Sequence, residues 1–121
     1  MQRVLIVDDD EIHLDVMRRK LERYGFEVHV ASNPIGVTNL VRTLRPDVVL
    51  MDVSIPAIRG DRLLDLVRQK APRTTRFFYH SSIDQDELQR ISERDSMTGW
   101  FSKSDPLARV VRRLQQEIRP S

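Results

Sequence analysis

The chain has 121 residues, 40% of them hydrophobic, which suits one domain with one core and leaves no room for a second domain of ordinary size. It has no cysteine, so a disulfide framework and a thiolate metal site are excluded and a reducing cytoplasm is the expected compartment. Twenty Lys and Arg against eighteen Asp and Glu leave a net charge of +2, too weak a field to favour nucleic-acid binding, and Val4-Leu5-Ile6-Val7 is too short for a signal peptide or a membrane span.

In chain order, that first apolar run lacks polar alternation, the pattern of a strand buried on both faces of a parallel sheet. Leu14, Met17, Leu21 and Tyr24 then recur at helical spacing, and Gly25 stops this first helix. Glu27-Val28-His29-Val30-Ala31 alternates as a sheet-edge strand does. Asn33-Pro34 offers a cap and a proline for a second helix with Val37, Leu40, Val41 and Leu44 on one face, and Arg45-Pro46 ends it. Val48-Val49-Leu50-Met51 is a third strand, followed by a helix from Asp61 to Lys70. Phe77-Phe78-Tyr79 is a fourth, followed by a helix from Asp84 to Arg94 with Leu88 and Ile91 inward. After the short aromatic run Gly99-Trp100-Phe101, Asp105-Pro106 supplies a cap and first-turn proline for a helix striped by Leu107, Val110, Val111, Leu114 and Ile118. Strand and helix thus alternate five times with short connections, which predicts an α/β domain with a parallel sheet, helices on both faces and its chemistry beyond the carboxyl ends of the strands.

The residues following the strands are Asp8, Asp9 and Asp10, then Asp52, then Ser81 and Ser82, then Lys103. Three converging carboxylates repel one another unless a cation neutralises them, and a hard oxygen-seeking ion such as Mg²⁺ does this best. Adding a lysine and a hydroxyl completes the parts needed for phosphoryl transfer, with Asp52 as the nucleophile at a central strand end. Asp10 and Glu11 serve equally well as caps of the first helix. His13, His29 and His80 lack metal-ligand spacing and read as a surface, an edge-strand and a buried strand residue.

These residues resemble the bacterial response-regulator receiver domains over essentially the whole chain. Val7-Asp8-Asp9-Asp10 is similar to the family's acidic pair, Met51-Asp52-Val53-Ser54-Ile55-Pro56 to its phosphoacceptor motif, Gly60 to the glycine that follows, Ser81 to its switch hydroxyl and Lys103 to its lysine. The resemblance implies a flavodoxin-like (βα)5 fold of strand order 2-1-3-4-5 in one receiver domain over residues 1–121. It implies that Asp8, Asp9, Asp52 and the backbone carbonyl of Ser54 hold Mg²⁺, and that Asp52 is phosphorylated by a histidine kinase or phosphotransfer protein. Lys103 would neutralise the phosphoryl group, Ser81 would hydrogen-bond to it, and Trp100 would be the switch aromatic. The expected protein is a stand-alone cytoplasmic receiver without a separate enzymatic activity, signalling by protein contact, with room for a homodimer and no nucleic-acid or membrane partner; the alternative is a receiver domain excised from a longer multidomain regulator. The partner face would join the fourth helix, fifth strand and fifth helix, carrying Arg109, Arg112 and Arg113 beside Asp84, Asp86 and Glu87.

Four positions depart from the family pattern. Ser104 follows Lys103 where proline is usual, which predicts a trans bond and a differently shaped loop, because a cis bond to serine costs roughly 2.5–4 kcal/mol. Trp100 replaces a smaller aromatic and needs a partner for its N–H. Ser82 narrows access to the phosphoryl site, and Ser96 stands where a glycine is usual. Three rival readings follow from other features. A phosphorylation-independent interaction module is suggested by Ser104, Ser82 and Trp100. A flavin-binding protein of the same fold is opposed by the acids where a phosphate loop would be, and a basic nucleic-acid binder is opposed by the near-balanced charge.

Overall fold

In the computed structural model, which describes residues 2–53 and 60–118, the uniformly apolar runs occupy the middle of one five-stranded sheet. The strands are β1 (Arg3–Val7), β2 (Glu27–Ala31), β3 (Val48–Met51), β4 (Arg76–Ser81) and β5 (Gly99–Ser102), and their order is β2-β1-β3-β4-β5. Every neighbouring pair is parallel. All four residues of β3 are buried, whereas β2 lies at the sheet edge as expected and is mostly half-buried, with the apolar Val30 of its alternating pattern exposed.

The helices are α1 (Glu11–Glu22), α2 (Val37–Leu44), α3 (Gly60–Lys70), α4 (Gln85–Arg94) and α5 (Leu107–Ile118). Successive strand residues point to opposite faces, so each strand feeds two cores. Leu5, Val49, Met51 and Tyr79 meet Val41, Leu64 and Leu88 of α2, α3 and α4. Ile6, Leu50 and Phe78 meet Leu14, Met17 and Leu21 of α1 and Val111 and Leu114 of α5. Each buried aliphatic side chain among these stabilises the fold by about 1.5–3 kcal/mol relative to exposure. The sheet is therefore a rigid platform for whatever projects from its carboxyl edge.

Two helix starts differ from expectation. Asn33 Oδ1 accepts the Ile35 N–H at 2.9 Å, so Asn33-Pro34 builds a turn, and α2 begins only at Val37, after Gly36 at a φ of +86° that favours glycine. The Asp105 carboxylate turns back to the Ser102 N–H at 2.9 Å instead of capping α5, whose first turn closes on the Pro106 carbonyl.

Ser96, between α4 and β5, has a φ of +54°, a left-handed conformation at the position where glycine was noted as usual. The turn is held from outside. Arg68 donates to the carbonyls of Asp95 at 2.6 Å and Ser96 at 2.8 Å while its guanidinium lies over the Phe77 ring. Left-handed backbone costs a non-glycine residue about 1–2 kcal/mol, and glycine's extra chain entropy returns part of that. Ser96→Gly is accordingly expected to raise the unfolding free energy by about 0.5 kcal/mol, read as a higher urea midpoint at an unchanged slope. A lower midpoint would mean that the serine side chain contributes more than its backbone conformation costs.

Candidate functional site: an acidic cluster and a lysine at the sheet edge

Three candidate residues sit one position beyond a strand, where the parallel ladder still fixes the backbone. The Asp8 N–H donates to Ala31 O at 3.1 Å, Asp52 N–H to Val7 O at 2.9 Å, and Lys103 N–H to Ser81 O at 2.9 Å. Side chains so anchored converge with little freedom. Lys103 Nζ lies 2.8 Å from Asp8 Oδ2 and 3.1 Å from Asp52 Oδ2. Asp8 and Asp52 are buried and Asp9 is exposed, yet one oxygen from each of the three lies within 4.8 Å of the others.

Local chemistry explains the loop after β1. Asp8 Oδ1 accepts the Asp10 N–H at 3.0 Å, and Asp10 Oδ1 accepts the Ile12 and His13 N–H groups at 3.1 Å each. Asp10 is thus the cap of α1 rather than one of the clustered acids, while Asp8 and Asp9 stay at the sheet edge.

The electrostatics at the cluster set burial against pairing. Burial pushes the Asp8 carboxyl above its ordinary value, opposed by the Lys103 ammonium and the Asp10 N–H, with repulsion from Asp52 adding to the rise. Burial works against the charge of Lys103, but hydrogen bonds to Asp8 and Asp52 outweigh it and hold the ammonium above its ordinary value. Among the described residues one ammonium, that of Lys103, bonds both Asp8 and Asp52, and Asp9 lies in the same cluster. An all-oxygen donor set of this kind fits a hard divalent cation such as Mg²⁺.

The turn that aims Lys103 is made without a proline. The Lys103–Ser104 bond is trans. The Asp105 N–H donates to Ser102 O at 2.9 Å, Ser102 Oγ bonds to Ser104 Oγ at 2.8 Å and accepts the Ser104 N–H at 3.2 Å, and the Asp105 carboxylate holds the Ser102 N–H. Ser104 shapes this loop with a trans bond, as its position after Lys103 predicts, whereas Ser102 and the turn role of Asp105 are site-shaping features that sequence reasoning missed. The signal was present in the run Ser102-Lys103-Ser104-Asp105, dense in residues that bond their own backbone.

Ser81 is buried at the end of β4, its Oγ accepting the Ile83 N–H at 3.3 Å. Trp100 lies two residues before the end of β5, half-buried, and its Nε1–H finds its partner in Gln89 Oε1 of α4. Beside it runs a groove of about 420 Å³ lined by Gln85, Gln89, Trp100, Asp105, Arg109 and Arg113. Of the arginines expected on this face, Arg109 and Arg112 are exposed. Arg113 is instead tied into the fold, 2.9 Å from Glu117 and 3.2 Å from the Thr98 carbonyl, with its guanidinium over Phe78. His13 is also not the surface residue its sequence position suggested. It is half-buried, 3.9 Å from Asp8 and stacked at a tilt on His80. Ser54, whose carbonyl was expected among the metal ligands, and Ile55 and Pro56 of the same motif lie outside the described residues. No helix of the described residues is long and apolar enough to cross a membrane.

Comparison with known proteins agrees with this geometry. Over 118 residues, 96% of its length, the chain is 27% identical to the transcriptional regulatory protein YxdJ of Bacillus subtilis (strain 168), and over 74 residues it is 35% identical to the regulatory protein AtoC of Escherichia coli (strain K12). It spans 52% of the first protein and 16% of the second. Among solved structures, Vibrio cholerae chemotaxis protein CheY4 superposes with a TM-score of 0.84 at 25% identity, covering 96% of this chain and 98% of that one. The BeF3-activated N-terminal receiver domain of Klebsiella pneumoniae RstA gives 0.87 at 21% identity, covering 98% of this chain and all of the other. The model of the response regulator receiver domain matches residues 4–115, the span that contains all of the sheet but Arg3, the acidic cluster and Lys103, and the chain belongs to that family.

Proposed function

We propose that the protein is a phosphorylation switch of a two-component system, in which Asp52 accepts a phosphoryl group from a histidine kinase or phosphotransfer protein. The observation that carries this reading is the meeting of Asp8, Asp9 and Asp52 around one shared position with Lys103 Nζ 3.1 Å from Asp52. Asp8, Asp9, Asp52 and the Ser54 carbonyl would hold Mg²⁺, which when bound supplies positive charge to the phosphoryl oxygens.

A carboxylate oxygen of Asp52 attacks phosphorus as the bond from phosphorus to the donor's leaving group breaks, giving an acyl phosphate and the released donor. Lys103 turns its ammonium from Asp8 toward the incoming oxygens, a short movement because it already touches both acids. Ser81 Oγ accepts from Ile83, so its own hydrogen is left for a phosphoryl oxygen. Trp100, released from Gln89, follows Ser81 inward and alters the α4-β5-α5 face that a protein partner reads. On this reading residues 1–121 act as one cytoplasmic receiver domain that catalyses only its own phosphorylation and dephosphorylation.

Incubation with acetyl phosphate is expected to add the mass of one phosphoryl group with Mg²⁺ and none with EDTA, and neutral hydroxylamine should remove it, as it does acyl phosphates. A parent protein that binds Mg²⁺ yet gains no mass from acetyl phosphate or a phosphorylated kinase would overturn the reading in favour of a phosphorylation-independent interaction module.

A further inference from the structure

The first turn of α1 carries an imidazole for which phosphoryl transfer has no use. His13 Nε2 is buried without a hydrogen-bond partner, 3.9 Å from Asp8 Oδ2. That same oxygen receives Lys103 Nζ at 2.8 Å. The His13 ring lies against His80 with centroids 5.1 Å apart and planes inclined at 45°. His80 is itself buried, its Nδ1 unpartnered, and burial followed by repulsion from His13 and Lys103 pushes it down to about 4, so it stands beside His13 as a neutral ring. Both rings line a cavity of about 190 Å³ whose apolar wall is Val16, Met17, Leu107 and Val110. Two orphaned imidazole nitrogens in one place are unusual, because buried polar atoms are nearly always paired.

Asp8 explains why one of them is kept. Its Oδ1 is committed to the Asp10 N–H, so Oδ2 depends on Lys103. When Lys103 turns toward a phosphorylated Asp52, or when a divalent cation draws the acids together, Oδ2 loses its donor, and at 2% exposure it has little access to bulk water. His13 Nε2 is about 1 Å beyond hydrogen-bonding distance of that oxygen. It is also carried by the same rigid unit, since the His13 N–H bonds the Asp10 cap that adjoins Asp8 and Asp9.

We propose that His13 is a positioning residue for Asp8, its Nε2–H donating to Asp8 Oδ2 when Lys103 leaves that oxygen, so that the carboxylate stays aimed at the cation. This rests on the reading of Asp8 as a ligand of a divalent cation. Carboxylates that bind metals are themselves held by hydrogen bonds, and loss of such a partner weakens metal affinity or activity roughly 10–100-fold.

The test is Mg²⁺ binding by calorimetry for the parent, His13→Phe and His13→Gln, with thermal unfolding in EDTA as the check on folding. Phenylalanine keeps the stack on His80 and removes the donor, whereas glutamine keeps an N–H at similar reach. His13→Phe is expected to bind Mg²⁺ about tenfold more weakly with no fall in its metal-free midpoint, and His13→Gln to recover to within about threefold of the parent. Equal affinity of His13→Phe and the parent overturns the inference, and so does an equal loss in both variants, which would make His13 a packing residue. If the parent itself binds no Mg²⁺ at millimolar concentration, the acidic-site reading fails and takes this inference with it, a result distinct from either of the others.

Discussion

Asp52→Asn is expected to gain no phosphoryl group from acetyl phosphate and Mg²⁺, and yet to be more stable than the parent in metal-free buffer by about 1 kcal/mol. The loss of function follows from the nucleophile, because an amide oxygen does not form an acyl phosphate under these conditions. The gain in stability follows from the charge count. Repulsion from Asp52 adds to the burial that raises Asp8, and the two carboxylates share the Lys103 ammonium. Asparagine keeps an oxygen for Lys103 and removes the repulsion. The sign with pH can be worked out from Asp8. An acid raised in the folded state binds more protons there than when unfolded, so parent stability declines as pH rises from 3.8 through the raised value. Asp52→Asn lessens that rise, so its advantage should be full at neutral pH and shrink in acid. Urea unfolding at pH 7 and in acid checks this. A variant less stable than the parent at pH 7 would mean that the attraction between Lys103 and Asp52 outweighs the repulsion among the acids. Functional residues that lower stability in this way are common where a site awaits a ligand.

The fold was legible wherever one pattern had one meaning. Val48-Val49-Leu50-Met51 could only be a strand buried on both faces, and β3 has those bounds. Glu27 to Ala31 alternates, and β2 is the edge strand. The site was legible for a related reason. Asp8, Asp52 and Lys103 are far apart in sequence, but each follows a buried run, and a parallel sheet brings the carboxyl ends of its strands together. What escaped were features decided by competition between local bonds. Asn33-Pro34 has the composition of a helix start, but Asn33 closed a turn with Ile35 and the positive φ of Gly36 set the start of α2. Asp105 has the composition of a cap, but the serine turn around Lys103 claimed its carboxylate. His13 escaped because Leu14, Met17 and Leu21 already defined the buried face of α1. Its place four residues before Met17 sets it on the flank of that face, a hint that helical spacing alone could have given.

Lys103→Met is expected to lower the unfolding free energy in EDTA at pH 7 by about 2–3 kcal/mol, and millimolar Mg²⁺ to restore most of that while phosphorylation stays at least about a hundredfold slower. Methionine retains the apolar stem and removes the ammonium that bonds Asp8 and Asp52, both buried. Removing one partner of a buried ion pair costs about 3–5 kcal/mol when the remaining charge cannot adjust. Here it can adjust, since the Asp8 carboxyl is already raised and takes up a proton more readily once Lys103 is gone, which caps the loss. The variant's folded state then holds extra protons over a wider pH range than the parent's. Its stability should decline more steeply as pH rises, and its deficit should be smallest in acid. A divalent cation supplies the missing charge to the acids from the solvent side, and a site that needs it more gains more from it. It does not supply a donor on the side of Asp52 where Lys103 Nζ sits, so recovery of the fold without recovery of phosphorylation separates the lysine's two roles. A variant as stable as the parent in EDTA at pH 7 would show that the acids are not short of charge, and would remove the physical ground for assigning them a cation.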